Sequence, residues 1–404
     1  MAYVVSRFPK ASETFVAREA SAVAALGSSV RVYTLVRERR SVVHPEAAPL
    51  VEDSVAARDV PLVRAQLAWL LEAPGRYMRT LRDVIGGNRS SIPFLVRAVI
   101  VFPVAAAWAR QIRRSDVDLV HAHFATHSAL AAYVVHRLTG VPFTFTAHAH
   151  DLYTERAMLT EKVAAAAAVV TISERNAAIL EQVAGDGCAD RIHVIRCGVD
   201  VDRYQARRAH GADGAARVLC VATLEEKKGH QHLLRAIALL TKRGIQTELV
   251  LIGDGRLRAP LRDLAEELGI GDRVRWRGSQ TSDEVVRELG RATCFALASV
   301  VDAKGRTEGI PVALMEAMAA GVPVVASDVS GVAELVRPGT GWLVPPGDHE
   351  ALAAALTDAI ASSDRHERVE RARAVVRAEY DLWRNARRLR ALFAAITSAR
   401  EPIT

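Results

Sequence analysis

Residues 308–321 read EGIPVALMEAMAAG, and VPVVA follows at once at 322–326. A glycine turn, a proline suited to a first helical turn and a run of small apolar residues predict a helix, and the valine-rich run predicts a strand after it. The N-terminus of such a helix favours anions, because its first N–H groups lack intrahelical partners and the helix dipole attracts negative charge. Glu308 precedes that terminus and Glu316 lies within the helix. Carboxylates flanking an anion site suit a ligand with hydroxyl groups on both sides of a phosphate, as in a nucleotide-sugar.

Short apolar runs alternate with helical patterns along the rest of the chain, as they do in parallel sheets built of βαβ units. The predicted strands lie at 2–6, 29–34, 119–121, 143–146, 169–172 and 193–195, and then at 218–222, 247–252, 274–277, 294–297, 323–326 and 342–344. The predicted fold class is therefore α/β, with two doubly wound Rossmann-like domains. Ligands of such sheets bind beyond the carboxyl ends of the strands, so we expect the site in a cleft between the two domains.

A chain of 404 residues is long enough for two hydrophobic cores. We expect a first domain at 1–203 with a helical insertion at about 61–114, a polar linker at 204–215, a second domain at 216–378, and a C-terminal helix at 379–404 that packs back on the first domain. The pattern after 351 stays helical to the end of the chain.

The composition narrows the class of protein. The net charge of +7 is spread without a dense basic block interleaved with aromatic residues, so we expect no nucleic-acid partner. The four cysteines are scattered without a CxxC pair and are expected to be reduced thiols of a cytoplasmic protein. The chain begins directly in a strand pattern, so we expect no signal peptide. The oligomeric state is left open.

The most apolar run, at 98–109, is shorter than the roughly 20 residues that span a bilayer, and Pro103 interrupts it. A core helix is the favoured interpretation. Nine arginines crowd residues 64–114, however, so peripheral contact with an anionic membrane surface is the alternative.

The segment at 308–321 resembles the E-x7-E element of the retaining, family-four glycosyltransferases of GT-B type. The resemblance extends over nearly the whole chain and is closest to the bacterial colanic-acid and exopolysaccharide branch. It implies a GT-B fold, an acceptor-side first domain, a donor-binding second domain and a nucleotide-diphospho-sugar as substrate. Retention, usually drawn as same-face attack by the acceptor, is likewise implied by the resemblance. It also implies that Glu308 contacts the donor sugar near the reacting carbon, that Glu316 binds ribose, and that the diphosphate lies against the segment of Gly309, Ile310, Pro311 and Val312.

The second domain carries two further stretches of this resemblance. In VATLEEKKG at 221–229, Lys228 matches the lysine that binds the diphosphate, whereas Thr223 stands where the family has an arginine. Lys227, Arg7 or Lys10 could substitute for that cation. In IGDGR at 252–256 the family's turn lies beside the donor, and we therefore expect donor contacts from Gly253, Asp254 and, after the next strand, Gly278.

The first domain carries three stretches of this resemblance. FPKASETF at 8–15 implies a loop on the acceptor side or cleft with Ser12, Glu13 and Thr14, although a plain helix start gives the same pattern. TAHAHDLY at 146–153 places His148 and Asp151 after a strand. His148 matches the family's functional histidine, and Asp151 is expected on the acceptor side or in the cleft. HAHFATH at 121–127 could suit zinc, but no cysteine or carboxylate is placed in the sequence to complete a ligand set.

No metal or other cofactor is expected. The Asp-x-Asp strings at 116–118 and 200–202 do not follow a strand into a donor site, unlike those that hold a divalent ion on a diphosphate. The sequence therefore predicts a metal-independent, retaining transferase with Glu308, His148 and Lys228 at the chemistry and a glycan, lipid-linked glycan or small molecule as acceptor. Two alternatives stay open, a GT-B sugar-nucleotide epimerase and, because of Thr223, a catalytically weak binding or partner subunit.

Overall fold

The structure, a computed structural model, describes residues 1–10, 13–38, 48–153, 156–185, 187–204 and 215–399, with His150 described by its backbone alone. The chain forms two compact units. Unit 1 contains Met1–Arg196 and Trp383–Thr404, and unit 2 contains Cys197–Leu382. The boundary thus falls at 196, before the expected one at 203. Most of the expected linker lies outside the described residues.

Unit 1 is a seven-stranded parallel sheet in the order β3-β2-β1-β4-β5-β6-β7. Its strands are β1 (Ala2–Phe8), β2 (Arg31–Arg37), β3 (Val55–Ala56), β4 (Val120–His123), β5 (Phe143–Ala147), β6 (Ala168–Thr171) and β7 (Ile192–Val194). Its helices are α1 (Thr14–Ala25), α2 (Ala48–Glu52), α3 (Leu62–Glu72), α4 (Pro74–Asn88), α5 (Ile92–Arg113), α6 (His127–Thr139), α7 (Ala149–Tyr153), α8 (Leu159–Ala165), α9 (Glu174–Ala184) and, from the end of the chain, α17 (Leu382–Ser398).

Unit 2 is a six-stranded parallel sheet in the order β10-β9-β8-β11-β12-β13. Its strands are β8 (Ala216–Val221), β9 (Thr247–Ile252), β10 (Val274–Gly278), β11 (Cys294–Leu297), β12 (Val324–Ser327) and β13 (Trp342–Val344). Its helices are α10 (His230–Lys242), α11 (Arg258–Glu267), α12 (Ser282–Arg291), α13 (Val312–Ala319), α14 (Val332–Leu335), α15 (His349–Ala361) and α16 (Arg365–Glu379). The predicted class of two doubly wound α/β units is confirmed.

The helix α5 differs from the sequence-based expectation. Its 22 residues run through Pro103, so it is longer than the apolar run that defined it, and by length and composition alone it could cross a membrane. More than half of its most apolar stretch is buried within unit 1, where it packs against α6, α3 and α4. A core helix meets the same criterion, and the C-terminal half of α5 is such a helix.

The last helix, α17, completes unit 1 after the chain has passed through the whole of unit 2. Asn385 donates a hydrogen bond to the carbonyl of Arg196, and Arg388 donates to that of Val194, both at 3.0 Å. The ring of Phe393 lies 4.9 Å from that of His121, which is on β4 at the centre of the sheet. The helix α17 is therefore part of the core of unit 1.

Candidate functional site

The strand order of unit 2 reverses between β8 and β11, which is the switch point where doubly wound sheets bind ligands. The loops after these two strands are in contact. Val300 donates its N–H to the carbonyl of Lys227 at 2.9 Å. Gly229 has a φ of +64°, and a Cβ there would lie 1.7 Å from the carbonyl oxygen of Ala298. Only glycine fits this position, directly after Lys228.

Two lysines converge on one buried carboxylate at this switch point. Lys228 Nζ lies 2.9 Å from Glu308 Oε2, and Lys227 Nζ lies 3.7 Å from Glu308 Oε1. The Glu308 side chain is 7% exposed. Burial by itself raises the pKa of Glu308, but the charges of Lys228 and then Lys227 more than offset it, so the pKa is lowered. The carboxylate is held ionised between two cations.

Glu308 directly precedes the loop into α13, whose N-cap is Pro311. The structure thus places the predicted residues Gly309 and Ile310 between the carboxylate and the helix N-terminus, where the first N–H groups have no intrahelical acceptors. Val312 begins the helix. The lysines, Glu308 and the terminus of α13 form one local arrangement that can hold an anion.

Glu316 lies inside α13 and is buried. Its Oε1 accepts a hydrogen bond of 2.6 Å from the hydroxyl of Tyr204, which is itself buried in the core of unit 2. Tyr204 was predicted to begin the polar linker, and that assignment is wrong. The polar residues that follow Tyr204 in the sequence hid the signal of this buried aromatic side chain.

An ion pair in the loop after β11 was not predicted from the sequence. Asp302 Oδ2 lies 2.6 Å from Arg306 Nη2, and Asp302 Oδ1 accepts the N–H groups of Lys304 and Arg306, each at 2.9 Å. Burial opposes ionisation of Asp302, but the bonds from Arg306 outweigh it and lower the pKa. An acid and an arginine four residues apart were the available signal. The ion pair fixes the shape of the loop and engages the Arg306 guanidinium with Asp302.

The glycines after β9 bring two loops together. Gly253 has a φ of +138°, and a Cβ there would lie 1.9 Å from the carbonyl oxygen of Ala222. Its N–H donates to the carbonyl of Gly278 at 2.9 Å. We expected this turn to let backbone approach a ligand, whereas here it lets backbone approach the loop that carries Thr223.

Asp254 has local partners. Its Oδ1 accepts the N–H of Gly255 at 2.8 Å, and its Oδ2 lies 3.0 Å from Arg258 at the start of α11. Half of its side chain is exposed. Thr223 is partly buried next to this turn. The structure therefore brings Thr223, Gly253, Asp254 and Gly278 to the same edge of the sheet as Lys228.

In unit 1 the strand order reverses between β1 and β4, and a buried histidine cluster lies at the ends of β4 and β5. His148 is 5% exposed and directly follows β5. Its Nε2 lies 3.3 Å from Nδ1 of His123, whose Nε2 lies 3.1 Å from Glu19 Oε1. Burial, followed by the charge of His123, lowers the pKa of His148 well below its usual value. His148 is therefore a neutral imidazole at neutral pH.

The row of hydrogen bonds has a direction when each ring carries one proton. Glu19 can only accept, so His123 donates from Nε2 and keeps a lone pair on Nδ1. His148 then donates from its Nε2 to His123 and keeps a lone pair on its own Nδ1. Glu19, 129 positions before His148 in the sequence, thus fixes which atom of His148 can accept a proton from a hydroxyl group.

The aromatic surroundings fix the ring of His148. The ring centroid of Phe124 lies 4.5 Å away and that of Phe15 lies 5.0 Å away. Phe124 has a φ of +72°, a conformation that costs a residue with a side chain on the order of 1–3 kcal/mol and is often found at functional sites. Phe15 comes from α1, so the FPKASETF segment reaches this cluster.

The histidines of HAHFATH do have a carboxylate beside them, contrary to the expectation from the sequence. Glu19 supplies the carboxylate that the HAHFATH string lacked, and donor atoms of Glu19, His121 and His123 lie within 4.8 Å of one another. Sequence distance hid it, because α1 and β4 become neighbours only through β1. The ring nitrogens of His121 already bond the hydroxyls of Thr144 at 2.8 Å and Thr146 at 3.1 Å. The cluster is thus satisfied by hydrogen bonds within the fold.

Asp151 lies inside unit 1 rather than on an open surface. It is 2% exposed, and its Oδ2 accepts the N–H groups of His148, at 3.1 Å, and Ala125. It therefore joins the loops after β4 and β5. Burial raises its pKa to about 7, and burial lowers the pKa of the nearby Lys162, which donates to the carbonyl of Ala125, to about 8. Asp151, which was predicted on the acceptor side or in the cleft, thus positions His148 by accepting its backbone N–H.

The remaining predicted residues of unit 1 lie at the start of α1. Glu13 is the N-cap residue and pairs with Lys10, and Thr14 is the first helical residue. Both are partly buried. Ser12 lies outside the described residues.

Comparisons with known proteins cover both units. Residues 12–203 match the family described as Glycosyltransferase Family 4, and residues 202–375 match the family described as Glycosyl transferases group 1. AmsK of Erwinia amylovora, an amylovoran biosynthesis glycosyltransferase, is 41% identical over 172 residues, which are 42% of each chain. WcaL of Escherichia coli, which carries the name of a colanic acid biosynthesis glycosyltransferase, is 30% identical over 88% of this chain and 89% of its own.

Solved structures resemble the whole chain. HepE of Anabaena, crystallised with UDP and glucose, has a TM-score of 0.72 and is 16% identical over 98% of this chain and 99% of its own. At that identity the likeness establishes the fold. The match to AmsK, in contrast, spans about two fifths of that protein's length.

Proposed function

The chain belongs to the group 1, family 4 glycosyltransferases with the GT-B fold, and from that premise we propose that it moves a sugar from a nucleotide-diphospho-sugar to an acceptor hydroxyl, with retention and without a metal ion. The observation that carries the proposal is the convergence of Lys228 and Lys227 on Glu308, directly before the N-terminus of α13.

The reaction needs positive charge on the leaving group. As the bond between the sugar carbon and the phosphate oxygen breaks, the electron pair goes to the diphosphate, and the acceptor oxygen forms its bond to that carbon while its proton goes to the departing phosphate. Lys228 and the N–H groups at the start of α13 stabilise this charge. Lys227 supplies the second cation, which the family places at the position of Thr223. No metal is then required for this role.

Glu308 changes partner in this proposal. In the structure it neutralises the two lysines that the diphosphate would take. Binding of the donor therefore releases the carboxylate to accept hydroxyl groups of the sugar, close to the reacting carbon. Glu316, already oriented by Tyr204 at 2.6 Å, binds the ribose hydroxyls. His148 contacts the donor sugar through the lone pair of Nδ1.

The acceptor proposed is a glycan of a surface polysaccharide, carried on a lipid at the cytoplasmic face of the membrane. The names of AmsK and WcaL, in amylovoran and colanic acid biosynthesis, support that choice. A small-molecule acceptor is the alternative that the experiment below separates.

The test begins with thermal stabilisation by a panel of UDP-, GDP- and dTDP-sugars, because a ligand that binds the folded state at about 100 times its Kd stabilises it by about 2.7 kcal/mol. The stabilising donor is then incubated with lipid-linked and small-molecule acceptors, with and without excess chelator. We expect transfer that chelator leaves unchanged and a product with the anomeric configuration of the donor, read by NMR.

Three outcomes contradict the proposal. Activity that chelator abolishes and magnesium or manganese restores would show a metal-dependent reaction. A new sugar-nucleotide released without acceptor would show the epimerase. Donor binding with neither transfer to any acceptor nor hydrolysis of the donor would show the binding subunit that Thr223 suggested.

A further inference from the structure

The exposed apolar side chains of the described residues are concentrated in one place. Thirteen large hydrophobic residues are exposed among the described residues, and eleven of them lie between Leu62 and Ile100, on helices α3, α4 and α5. Leu71 is 84% exposed, and Val63 and Ile92 are each 75% exposed. Scattered single residues of this kind are ordinary on a protein surface, whereas a concentration on one element marks an interaction site.

Helical spacing places these residues on continuous stripes. On α3 they occupy positions 63, 67, 70 and 71, and on α5 positions 92, 96, 99 and 100, which is the same i, i+4, i+7, i+8 pattern. The buried residues Ala65 and Trp69 lie on the opposite face of α3, as Phe94 and Ala98 do on α5. Each helix is thus apolar on its outer face as well as its inner one.

The three helices form a folded layer, so the exposure does not come from loose structure. Trp69 donates from Nε1 to the carbonyl of Ala106 at 2.8 Å, and Gln66 donates to that of Pro103 at 3.0 Å, which fixes α3 alongside α5. The hydroxyl of Tyr77 on α4 donates to Gln66 at 2.9 Å. The outer stripes are therefore held in place by a packed inner face.

The excess of positive charge, which was expected to be spread along the chain, is concentrated on the same segment. Residues 61–114 contain nine of the 53 basic residues and two of the 46 acidic ones, which leaves 44 of each sign in the rest of the chain. The net charge of +7 is thus the charge of this segment. Its two acids are already paired, Glu72 with Arg110 and Arg113, and Asp83 with Arg137.

On α4 the exposed residues Met78, Arg82 and Ile85 follow one stripe at i, i+4 and i+7, and Arg89, the C-cap residue directly after the helix, continues it at i+11. In the described part of the chain neither Arg82 nor Arg89 forms an ion pair, and the same holds for Arg64, Arg79 and Arg97. Apolar side chains that alternate with unneutralised arginines fit a partner whose interior is apolar and whose boundary with water is anionic.

We propose that the outer face of α3, α4 and the N-terminal half of α5 is a docking surface for a bilayer containing anionic lipids. The apolar stripes enter the boundary between headgroups and acyl chains, and the arginines extend to the lipid phosphates. A second copy of this chain is a poor occupant, because it would bring a second segment of charge +7 against the first. Spanning is disfavoured as well, since the second half of α5 is core of unit 1.

The link to catalysis rests on the proposed function, because a lipid-linked acceptor is presented at that same boundary. The surface itself is independent of it, and it is tested without any substrate. Failure of vesicle binding with intact transfer would overturn the docking surface alone, whereas vesicle binding without transfer would overturn the proposed function alone.

The experiment is sedimentation of the full chain with vesicles of phosphatidylcholine, with and without phosphatidylglycerol, over a range of salt concentrations. Three variants are compared with the wild type. R79Q/R82Q/R89Q removes charge from the surface, V63Q/L71Q/I92Q removes apolar contact, and R287Q/R291Q/R377Q removes the same charge from exposed positions of unit 2.

We expect binding to anionic vesicles that weakens as salt rises. The surface arginine variant should lose about 100-fold in affinity, because each of the three cations contributes about a factor of five near an anionic leaflet. The apolar variant should lose at least about tenfold and leave binding that salt abolishes more easily. The unit 2 variant should bind within about threefold of the wild type.

Four results would overturn the proposal. They are no binding to anionic vesicles at low salt, equal losses in the surface and unit 2 arginine variants, a protein that alkaline carbonate cannot extract from cell membranes, and a dimer that V63Q/L71Q/I92Q converts to a monomer by light scattering. All the substituted residues are exposed, and the circular dichroism spectrum of each variant verifies that it is folded.

Discussion

In unit 2 a buried carboxylate, Glu308, keeps its charge because two lysines reach it, whereas in unit 1 burial and then the charge of His123 lower the pKa of His148 and His121 and keep both neutral. Both clusters lie where the strand order of a parallel sheet reverses. The same position in two similar sheets thus carries opposite electrostatics.

The difference corresponds to the two halves of the proposed reaction. A diphosphate that gains charge needs cations already in place, since fixed charges require no reorganisation when the bond breaks. A sugar hydroxyl needs a neutral acceptor held in one orientation, and a row of hydrogen bonds ending in Glu19 supplies it. If the units differ in this way, variants of unit 2 should affect the diphosphate and variants of unit 1 should affect the contact with the sugar hydroxyl.

The largest effect is expected from Lys228→Ala. Loss of this cation removes charge stabilisation worth roughly 3–4 kcal/mol, so kcat/KM for the donor should fall by about 100- to 1,000-fold. The matched control is Lys242→Ala, an exposed lysine at the end of α10 in the same unit. Retention of most of the activity in Lys228→Ala would show that the diphosphate is held elsewhere.

The two glutamates should separate kcat from KM. Glu308→Gln is expected to lower kcat by about 100-fold with a small change in KM, since its contact lies near the reacting carbon. Glu316→Gln, and Tyr204→Phe to a smaller extent, should raise KM for the donor and leave kcat nearly unchanged. Near-normal kinetics in both glutamate variants would refute the assignment.

Lys227 and Thr223 should compensate for each other. Lys227→Ala is expected to lower kcat/KM for the donor by about tenfold, because one of two cations remains. Adding Thr223→Arg in that background should recover most of the loss, whereas Thr223→Arg alone should change activity little. A Lys227→Ala enzyme with wild-type kinetics would show that Lys227 only neutralises Glu308.

Glu19→Gln probes unit 1 in the same way. An amide can donate to His123, which would reverse the row of hydrogen bonds and place a proton on Nδ1 of His148. We expect kcat to fall by about tenfold, with KM unchanged. The ¹⁵N shifts of the His148 ring should exchange between the two tautomers. Glu52→Gln, an exposed carboxylate of the same unit, is the control.

The smallest effect concerns pH and His127 at the start of α6. Burial, followed by Arg97 and Lys162, lowers the pKa of His127 to about 4, below its unfolded value of about 6.5. Its contribution to stability is therefore complete above about pH 6.5 and is lost as pH falls towards 4, by less than about 1.4 kcal/mol per unit, since the ring is partly exposed. His127→Gln should show a smaller fall in unfolding midpoint than the wild type between about pH 7 and about pH 5. Parallel curves would contradict this.

Prediction from sequence succeeds here where the signal is local. The strands at 247–252, 294–297 and 342–344 coincide with the structure, because apolar runs bounded by turns are read within a few residues. The two-residue strand β3 at the sheet edge is too short for any such pattern. The helix after 311 and the position of Lys228 in the loop after β8 also follow from neighbours in the chain alone.

What the sequence could not supply are contacts between distant segments. Glu19 reaches His123 from more than 100 positions away, and Tyr204 reaches Glu316 across a similar span. The arginines of 61–114 were visible in the sequence, but the outward direction of the apolar stripes was not. Pattern alone cannot distinguish an apolar residue that faces a core from one that faces solvent.

The position of α17 has a consequence for the order of folding. Phe393 packs against His121 at the centre of unit 1, yet it leaves the ribosome only after the whole of unit 2. Domains usually fold as units during synthesis, the N-terminal one first. Here the first unit to be made is the last to be complete, because all of unit 2 is synthesised before the helix that closes the core of unit 1. A protein truncated after 382 would keep every strand of both sheets and still leave the histidine cluster uncovered on one side.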